Sequence, residues 1–84
     1  MRSATIPGRE IAGSAALHAA LSAQLGFPDW YGRNLDALYD LLTEPGEPFC
    51  VTITDSEALR ERLGGYYDRF LRVLADAGAA VNLC

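Results

Sequence analysis

Polar and apolar positions along the chain follow two periods, and the period changes several times between the two termini. The segment SATIPG alternates weakly and stops at Pro7 and Gly8, which predicts a short first strand that ends in a turn. FCVTIT, residues 49–54, is rich in β-branched residues and predicts a second strand, central in the sheet. AAVNLC predicts a short third strand at the C-terminal end.

Between the first two strands, leucines at helical spacing predict two helices. The first places Leu17, Leu21 and Leu25 on one face, with Ser14 as its predicted N-cap and Gly26 in the left-handed position beyond its end. The segment PDWYG then predicts an irregular loop whose two aromatic residues are exposed or half-exposed. The second helix begins after this loop, capped by Asn34.

Two more helices are predicted between the second and third strands. Thr54 followed by Glu57 has the form of a capping box, which predicts a short helix that runs to about Leu63. The fourth helix follows at once and ends at Gly78; its apolar stripe consists of Tyr67, Phe70, Leu71 and Leu74.

These seven elements predict a single α/β domain over residues 1–84, because the chain has only 84 residues and shows no linker or repeat. Strands joined by long helical crossovers pair in parallel. The predicted fold is therefore a three-stranded parallel sheet packed with about four helices.

Charge and composition narrow the classes of partner. Seven basic and eleven acidic side chains give a net charge of −4, which disfavours direct binding to nucleic acid and favours a basic partner. No apolar run has the length of a signal peptide or a membrane span, so we expect a soluble cytoplasmic protein. Cys50 and Cys84 lack the short spacings of metal sites and are interpreted as reduced thiols rather than a disulfide or ligands.

A helical wheel divides the second helix into two faces. Leu35, Leu38, Leu41 and Leu42 lie on one side and anchor the helix, whereas the other side carries Asp36, Tyr39, Asp40 and Thr43. One interpretation of the polar side is a solvated helix face. The other is a protein-docking surface, because two like charges one turn apart are unfavourable in a free helix and the preceding loop adds Trp30 and Tyr31.

Enzymatic chemistry has little support in the sequence. The two aspartates project from one convex helix, and no nucleophile partner accompanies His18, for which a surface or boundary position is expected. A magnesium site at Asp36 and Asp40 would lack a third ligand. We therefore predict no catalytic residue, metal or cofactor.

The run YGRNLDALYDLL, preceded by P-x-W and followed by Thr43, resembles the signature of the barstar family, the intracellular polypeptide inhibitors of the secreted ribonuclease barnase. The likeness extends to LHAAL in the first helix and FLRVLADA in the last. It implies a three-stranded parallel sheet with surrounding helices, which agrees with the fold predicted from the pattern of strands and helices. It also implies a monomeric inhibitor that plugs the active site of a basic, barnase-like ribonuclease with the second helix and the preceding loop.

The resemblance assigns a role to individual residues. Asp40 matches the family's dominant inhibitory carboxylate, which occupies a phosphate position in the enzyme, and Asp36 matches a second acidic contact. Trp30 matches a loop aromatic that packs on the catalytic histidine, and Tyr39 is a second aromatic. The remaining implied contacts lie at the two ends of the second helix and on the last helix: Asn34, Leu35, Thr43 and Asp68.

Three departures from the family pattern bear on the target. The loop EPGEP after Thr43 is one residue shorter than the family's loop and lacks its aromatic residue. Arg33 stands where the family has an acidic residue, and Trp30 and Tyr39 are aromatic residues of a different type from those of the family. Two other functions stay open on the residues themselves. One is a non-inhibitory interaction or regulatory module that binds another basic protein, and the other is a small metal-dependent hydrolase that uses the aspartates.

Overall fold

A computed structural model of the chain describes residues 2–44 and 48–84, which form three strands and four α-helices. A short 3-10 turn, Gly8–Glu10, follows the first strand. The predicted order of elements is confirmed. In chain order they are β1 (Arg2–Pro7), α1 (Ser14–Leu25), α2 (Leu35–Leu42), β2 (Phe49–Thr54), α3 (Ser56–Leu63), α4 (Gly65–Asp76) and β3 (Ala80–Leu83).

The sheet has β2 at its centre, with β1 and β3 paired to it in parallel. Val51 of β2 lies opposite Ala4 of β1 and Val81 of β3. Alternate residues of β2 are buried, because successive side chains point to opposite faces of the sheet and one of these faces packs in the core. The predicted three-stranded parallel sheet, with FCVTIT at its centre, is therefore confirmed.

The hydrophobic core forms where the helices pack on this sheet. α1 packs against β1, and α2 packs against α4. These four elements, together with β2 and α3, contribute fully buried side chains to one hydrophobic cluster. Removal of this apolar surface from water stabilises the fold. The largest of these side chains are Ile6, Leu17, Leu21, Leu25, Leu38, Ile53, Leu59, Phe70 and Leu74.

The start of α1 differs from the prediction. Gly13 is the residue before the first helical turn, and no side chain caps that end of the helix. Ser14 is already helical, so its hydroxyl is not in the capping position. The other end is as predicted, because Gly26 has a φ of 69° and its N–H donates to the carbonyl of Ser22.

The predicted capping box at α3 is also wrong. Thr54 is still part of β2, and its hydroxyl donates to the carbonyl of Ile6 in the neighbouring strand at 3.4 Å. Asp55 is the N-cap instead, with a φ of 50° and no capping bond from its side chain. Its carboxylate lies 3.5 Å from Arg9 and forms an ion pair there. The sheet therefore holds the threonine that the sequence pattern assigned to the helix.

Gly64 alone separates α3 from α4, because Gly65, predicted as part of the break, is already the first residue of α4. Gly78, with a φ of 78°, follows the end of α4, as predicted. Within residues 2–44 and 48–84, no helix combines the length and the apolar character that crossing a membrane requires.

Candidate protein-docking surface

The start of α2 is fixed by Asn34. This residue has an extended backbone, and its side-chain oxygen accepts a hydrogen bond from the N–H of Ala37 at 2.8 Å. Its side-chain amide donates to the carbonyl of Gly32 at 3.3 Å, which ties the cap to the preceding loop. The predicted N-cap is confirmed, and it sets the rotational position of every side chain on the helix.

The two faces of α2 differ sharply in burial, as the wheel predicts. Leu38, Leu41 and Leu42 are buried against the domain, and Leu35 is half-buried. The exposed residues of the opposite face are Asp36, Tyr39, Asp40 and Thr43. Because the leucines hold the helix, the carboxylates have little freedom to turn away from solvent.

Thr43 closes this face at the C-terminal end of α2. Its hydroxyl donates to the carbonyl of Tyr39 at 2.8 Å and also lies 3.2 Å from the carbonyl of Asp40. The carbonyl of Tyr39 also accepts the backbone N–H of Thr43 at 3.0 Å, so Thr43 closes the last turn with both its main chain and its side chain. The segment that follows, EPGEP, contains residues 45–47, which lie outside the described residues, so the shortened loop predicted after Thr43 is not described.

The loop before α2 turns its two aromatic residues in opposite directions. Trp30 is 73% exposed, which agrees with the prediction of an exposed aromatic. Tyr31 is buried, so the prediction that it too is exposed or half-exposed is wrong. The Tyr31 ring packs on Phe27, with 4.9 Å between ring centroids, and its N–H donates to the carbonyl of Pro28 at 3.0 Å.

His18 explains why Tyr31 is buried. The histidine is 1% exposed, so the expected surface or boundary position is wrong. Its Nδ1 lies 2.5 Å from the hydroxyl oxygen of Tyr31, and its Nε2 lies 2.6 Å from that of Tyr66. Burial lowers the pKa of His18, and the positive charge of Arg33 adds to this shift. Burial also raises the pKa of both tyrosines.

The sequence contained a signal for this buried histidine. His18 lies three and seven residues before Leu21 and Leu25, so it belongs to the same helical stripe as these buried leucines. Such a position predicts burial for any residue type. A histidine there needs hydrogen-bond partners, and the aromatic residues of other elements are the candidates.

A depression of about 440 Å³ lies between the start of α2 and α4. On the α2 side it is lined by Asn34, Leu35 and Asp36. On the α4 side it is lined by Tyr66, Arg69, Arg72, Val73 and Asp76. The guanidinium of Arg69 stands over the ring of Tyr66 at 5.4 Å from the centroid, which places a basic charge at this border of the acidic face.

Asp68 stands apart from the other predicted site residues. It lines a separate depression, with Ser56, Glu57 and Arg60 of α3, rather than the one that contains Asp36. Helical spacing predicts an ion pair between Asp68 and Arg72, but this is wrong, because Arg9 and Asp55 form the only ion pair among the residues that the structure describes. The structure thus brings together the loop and α2 residues and leaves Asp68 outside that group.

Metal-ligand chemistry finds no support in the part of the chain that the structure describes. No group of three or more His, Cys, Asp or Glu residues there is arranged to hold a metal ion. Cys50 is half-buried, Cys84 is exposed, and both are free thiols, as predicted.

Comparison with known families tests whether the chain is related to the barstar family. The family model described as Barstar (barnase inhibitor) matches residues 1–82. The chain belongs to the barstar family. A Bacillus subtilis (strain 168) protein named "Putative ribonuclease inhibitor YrdF" is 41% identical over 78 residues, which cover 92% of this chain and 86% of that protein. The resemblance seen in YGRNLDALYDLL is confirmed, and this barstar-family segment forms the end of the loop and α2.

Proposed function

We propose that this chain inhibits a basic ribonuclease by inserting α2 and the preceding loop into the active site of the enzyme. The observation that supports this most directly is the exposed pair Asp36 and Asp40 on a helix whose other face is buried. Membership of a family described as barnase inhibitors, and a relative named as a ribonuclease inhibitor, support the same function.

The electrostatics of the surface fit such a target. A ribonuclease active site binds phosphates, so it is concave and basic, and carboxylates on a rigid helix can take the place of those phosphates. The chain as a whole has a net charge of −4, and long-range attraction would speed its encounter with a basic enzyme. We infer that Asp40 occupies the deepest phosphate position and Asp36 a neighbouring one.

The aromatic and helix-end residues would complete the contact. Trp30 offers a large exposed ring, and Tyr39 is 41% exposed beside the aspartates, a mixture typical of binding hot spots. Asn34, Leu35 and Thr43 frame the two ends of the helix. Asp68 lies beyond this frame, and we propose it as a contact with the rim of the enzyme.

We further propose that the free protein is a monomer and that it acts in the cytoplasm as the antitoxin of such a ribonuclease. A cell that makes a ribonuclease needs its inhibitor wherever the folded enzyme could meet cellular RNA. Purified barnase is the first probe, because the family description names it.

The test measures RNA cleavage by purified barnase in the presence of increasing amounts of this protein. The decisive variant is the double substitution Asp36→Asn and Asp40→Asn, which removes both charges and keeps the side-chain shape. We expect wild-type protein to suppress cleavage at about equimolar concentration. We expect the double variant to lose at least about 2 kcal/mol of binding free energy, a factor of about 30 in affinity.

The chain offers a matched control in Glu57 and Glu61, an exposed acidic pair with the same spacing on α3. Glu57→Gln with Glu61→Gln changes the net charge by the same amount and should leave inhibition intact. Equal inhibition by wild-type protein and the aspartate double variant would rule out the proposed mechanism. Absence of wild-type inhibition against barnase and other basic ribonucleases would favour the non-inhibitory module instead.

A further inference from the structure

His18 occupies an unusual position for a histidine in a small domain. Apart from tyrosines, it is the one buried residue with a polar side chain among residues 2–44 and 48–84. Both of its ring nitrogens make short contacts, and the two partners come from distant parts of the chain. Tyr31 belongs to the loop before α2, and Tyr66 belongs to the first turn of α4. The imidazole therefore joins three segments through two hydrogen bonds.

The chemistry of imidazole suits this bridge. A neutral ring has one N–H donor and one nitrogen lone pair, and each tyrosine hydroxyl can both donate and accept. One ring nitrogen can donate to one tyrosine oxygen while the other accepts from the hydroxyl of the second tyrosine. All buried polar side-chain atoms in the described part of the chain have partners, so the bridge is fully satisfied.

The bridge acts on the loop that carries Trp30. Tyr31 is the inward neighbour of Trp30, and it is anchored by the His18 contact, by the ring of Phe27 and by its own N–H to Pro28. Trp30 itself is 73% exposed, so its own packing contributes little to its position. The orientation of Trp30 must therefore be set largely by what holds Tyr31.

We propose that His18 is a positioning residue for the docking surface, and that its two hydrogen bonds, to Tyr31 and Tyr66, fix the Trp30 loop against α1 and α4 in the orientation that meets the ribonuclease. The docking role of the loop rests on the function proposed above. The bridge also gives α4 a part in docking, because Tyr66 borders the depression that reaches Asn34 and Asp36.

The experiment uses two variants that remove one hydroxyl each and keep the aromatic ring. Tyr31→Phe breaks the bond to the loop, and Tyr66→Phe leaves one nitrogen of His18 without its partner. Amide hydrogen exchange at Tyr31, whose N–H donates to Pro28, reports loop opening. We expect this exchange to become about five- to tenfold faster in both variants, the size of effect that loss of one buried hydrogen bond produces.

Trp30 is the single tryptophan of the chain, so its fluorescence anisotropy reports the same loop without a label. It should fall in both variants. Affinity for barnase should weaken by about two- to tenfold, because a loop that has lost one of its anchoring hydrogen bonds must be ordered at the moment of binding. The matched control is Tyr67→Phe, because the hydroxyl of this neighbouring tyrosine makes no hydrogen bond to the other residues that the structure describes.

The readouts separate positioning from general stability and from the proposed function. A variant that is only less stable would exchange faster in β2 as well as in the loop, so amides of β2 serve as the internal reference. Unchanged exchange at Tyr31 in the two variants would overturn the positioning role. Faster exchange in a variant that binds barnase as tightly as the wild-type protein would overturn it as well. Failure of wild-type protein to bind barnase would instead contradict the choice of target, while exchange at Tyr31 would still decide whether the bridge holds the loop.

Discussion

The side-chain oxygen of Asn34 lies 2.8 Å from the backbone nitrogen of Ala37, and this contact determines where α2 begins. It is the only side-chain cap found at a helix start in the described part of the chain. α2 has eight residues, so its first turn is a large part of its length. A short helix depends strongly on its cap, because few internal hydrogen bonds support it.

Asn34→Ala should therefore lower the free energy of unfolding by about 1 kcal/mol, because the N–H of Ala37 loses its partner. Asn34→Ser keeps a side-chain acceptor at the same place and should retain most of the stability. Urea denaturation of the three proteins measures both effects. Equal midpoints for the alanine and serine variants would show that the cap contributes nothing.

Gly8 lies where the end of β1 meets the end of β2, and its backbone approaches the neighbouring chain closely. A Cβ atom at this position would stand 2.5 Å from the carbonyl oxygen of Asp55 and 2.7 Å from that of Thr54. Backbone atoms cannot move aside as a flexible side chain can. We predict that Gly8→Ala lowers the free energy of unfolding by about 1–3 kcal/mol.

Gly65, at the first position of α4, is the matched comparison, because a Cβ there meets nothing within 4 Å. Gly65→Ala should be neutral or should stabilise the fold by up to about 1 kcal/mol, through loss of flexibility in the unfolded chain. Thermal unfolding of both alanine variants checks the pair. A Gly8→Ala protein as stable as the wild type would contradict the close approach of the two backbones.

The buried state of His18 predicts how stability depends on pH. Its pKa in the folded protein is lowered from the ordinary value of 6.5, first by burial and then by Arg33. The unfolded chain therefore takes up a proton on His18 at a higher pH than the folded chain does. The free energy of unfolding should keep the full His18 contribution above about pH 6.5 and lose it progressively on acidification below that pH.

Urea denaturation between about pH 8 and pH 5 measures this dependence. His18 is the single histidine of the chain, so His18→Gln should flatten the curve in this range. A wild-type curve that is already flat from pH 7 to pH 5, or a variant with the same slope, would contradict the lowered pKa.

Asp40 and Asp68 are both exposed, but they lie on different parts of the surface. If α2 and its loop form the centre of the docking surface, Asp40→Ala should weaken ribonuclease binding by about 2 kcal/mol or more. Asp68→Ala should cost less than about 1 kcal/mol, because a charge at the rim is screened by solvent. Titration calorimetry with barnase compares the two, and a larger loss at Asp68 would move the centre of the surface to α4.

The sequence predicted the parts of the fold that depend on local pattern. The four leucines of α2 and the cap at Asn34 are short-range signals, and the structure has both as expected. The same is true of β2, whose run of β-branched residues places it at the centre of the sheet. The exposed face of α2 follows directly from these signals, because a helix buried along one side must display the other.

The errors arose where a distant partner decides the position of a side chain. Thr54 has the local form of a cap, but it belongs to β2, which pairs with β1. Its hydroxyl donates a hydrogen bond to the carbonyl of Ile6, 48 residues earlier in the chain. Tyr31 sits in a polar loop, and its burial depends on His18, which lies 13 residues earlier in the chain. Local periodicity carries no information about such contacts, so both residues were assigned to the wrong environment.

The position of α2 in the chain has a consequence for how target choice could change over time. α2 lies in the crossover between β1 and β2, and its exposed face contributes nothing to the register of the sheet. Substitutions at Trp30, Arg33 or Tyr39 can therefore accumulate without disturbing the strands, as long as the leucines and the His18 bridge persist. Divergence of an inhibitor alongside its enzyme can then proceed in this loop and on one face of α2, while the sheet and the core are retained.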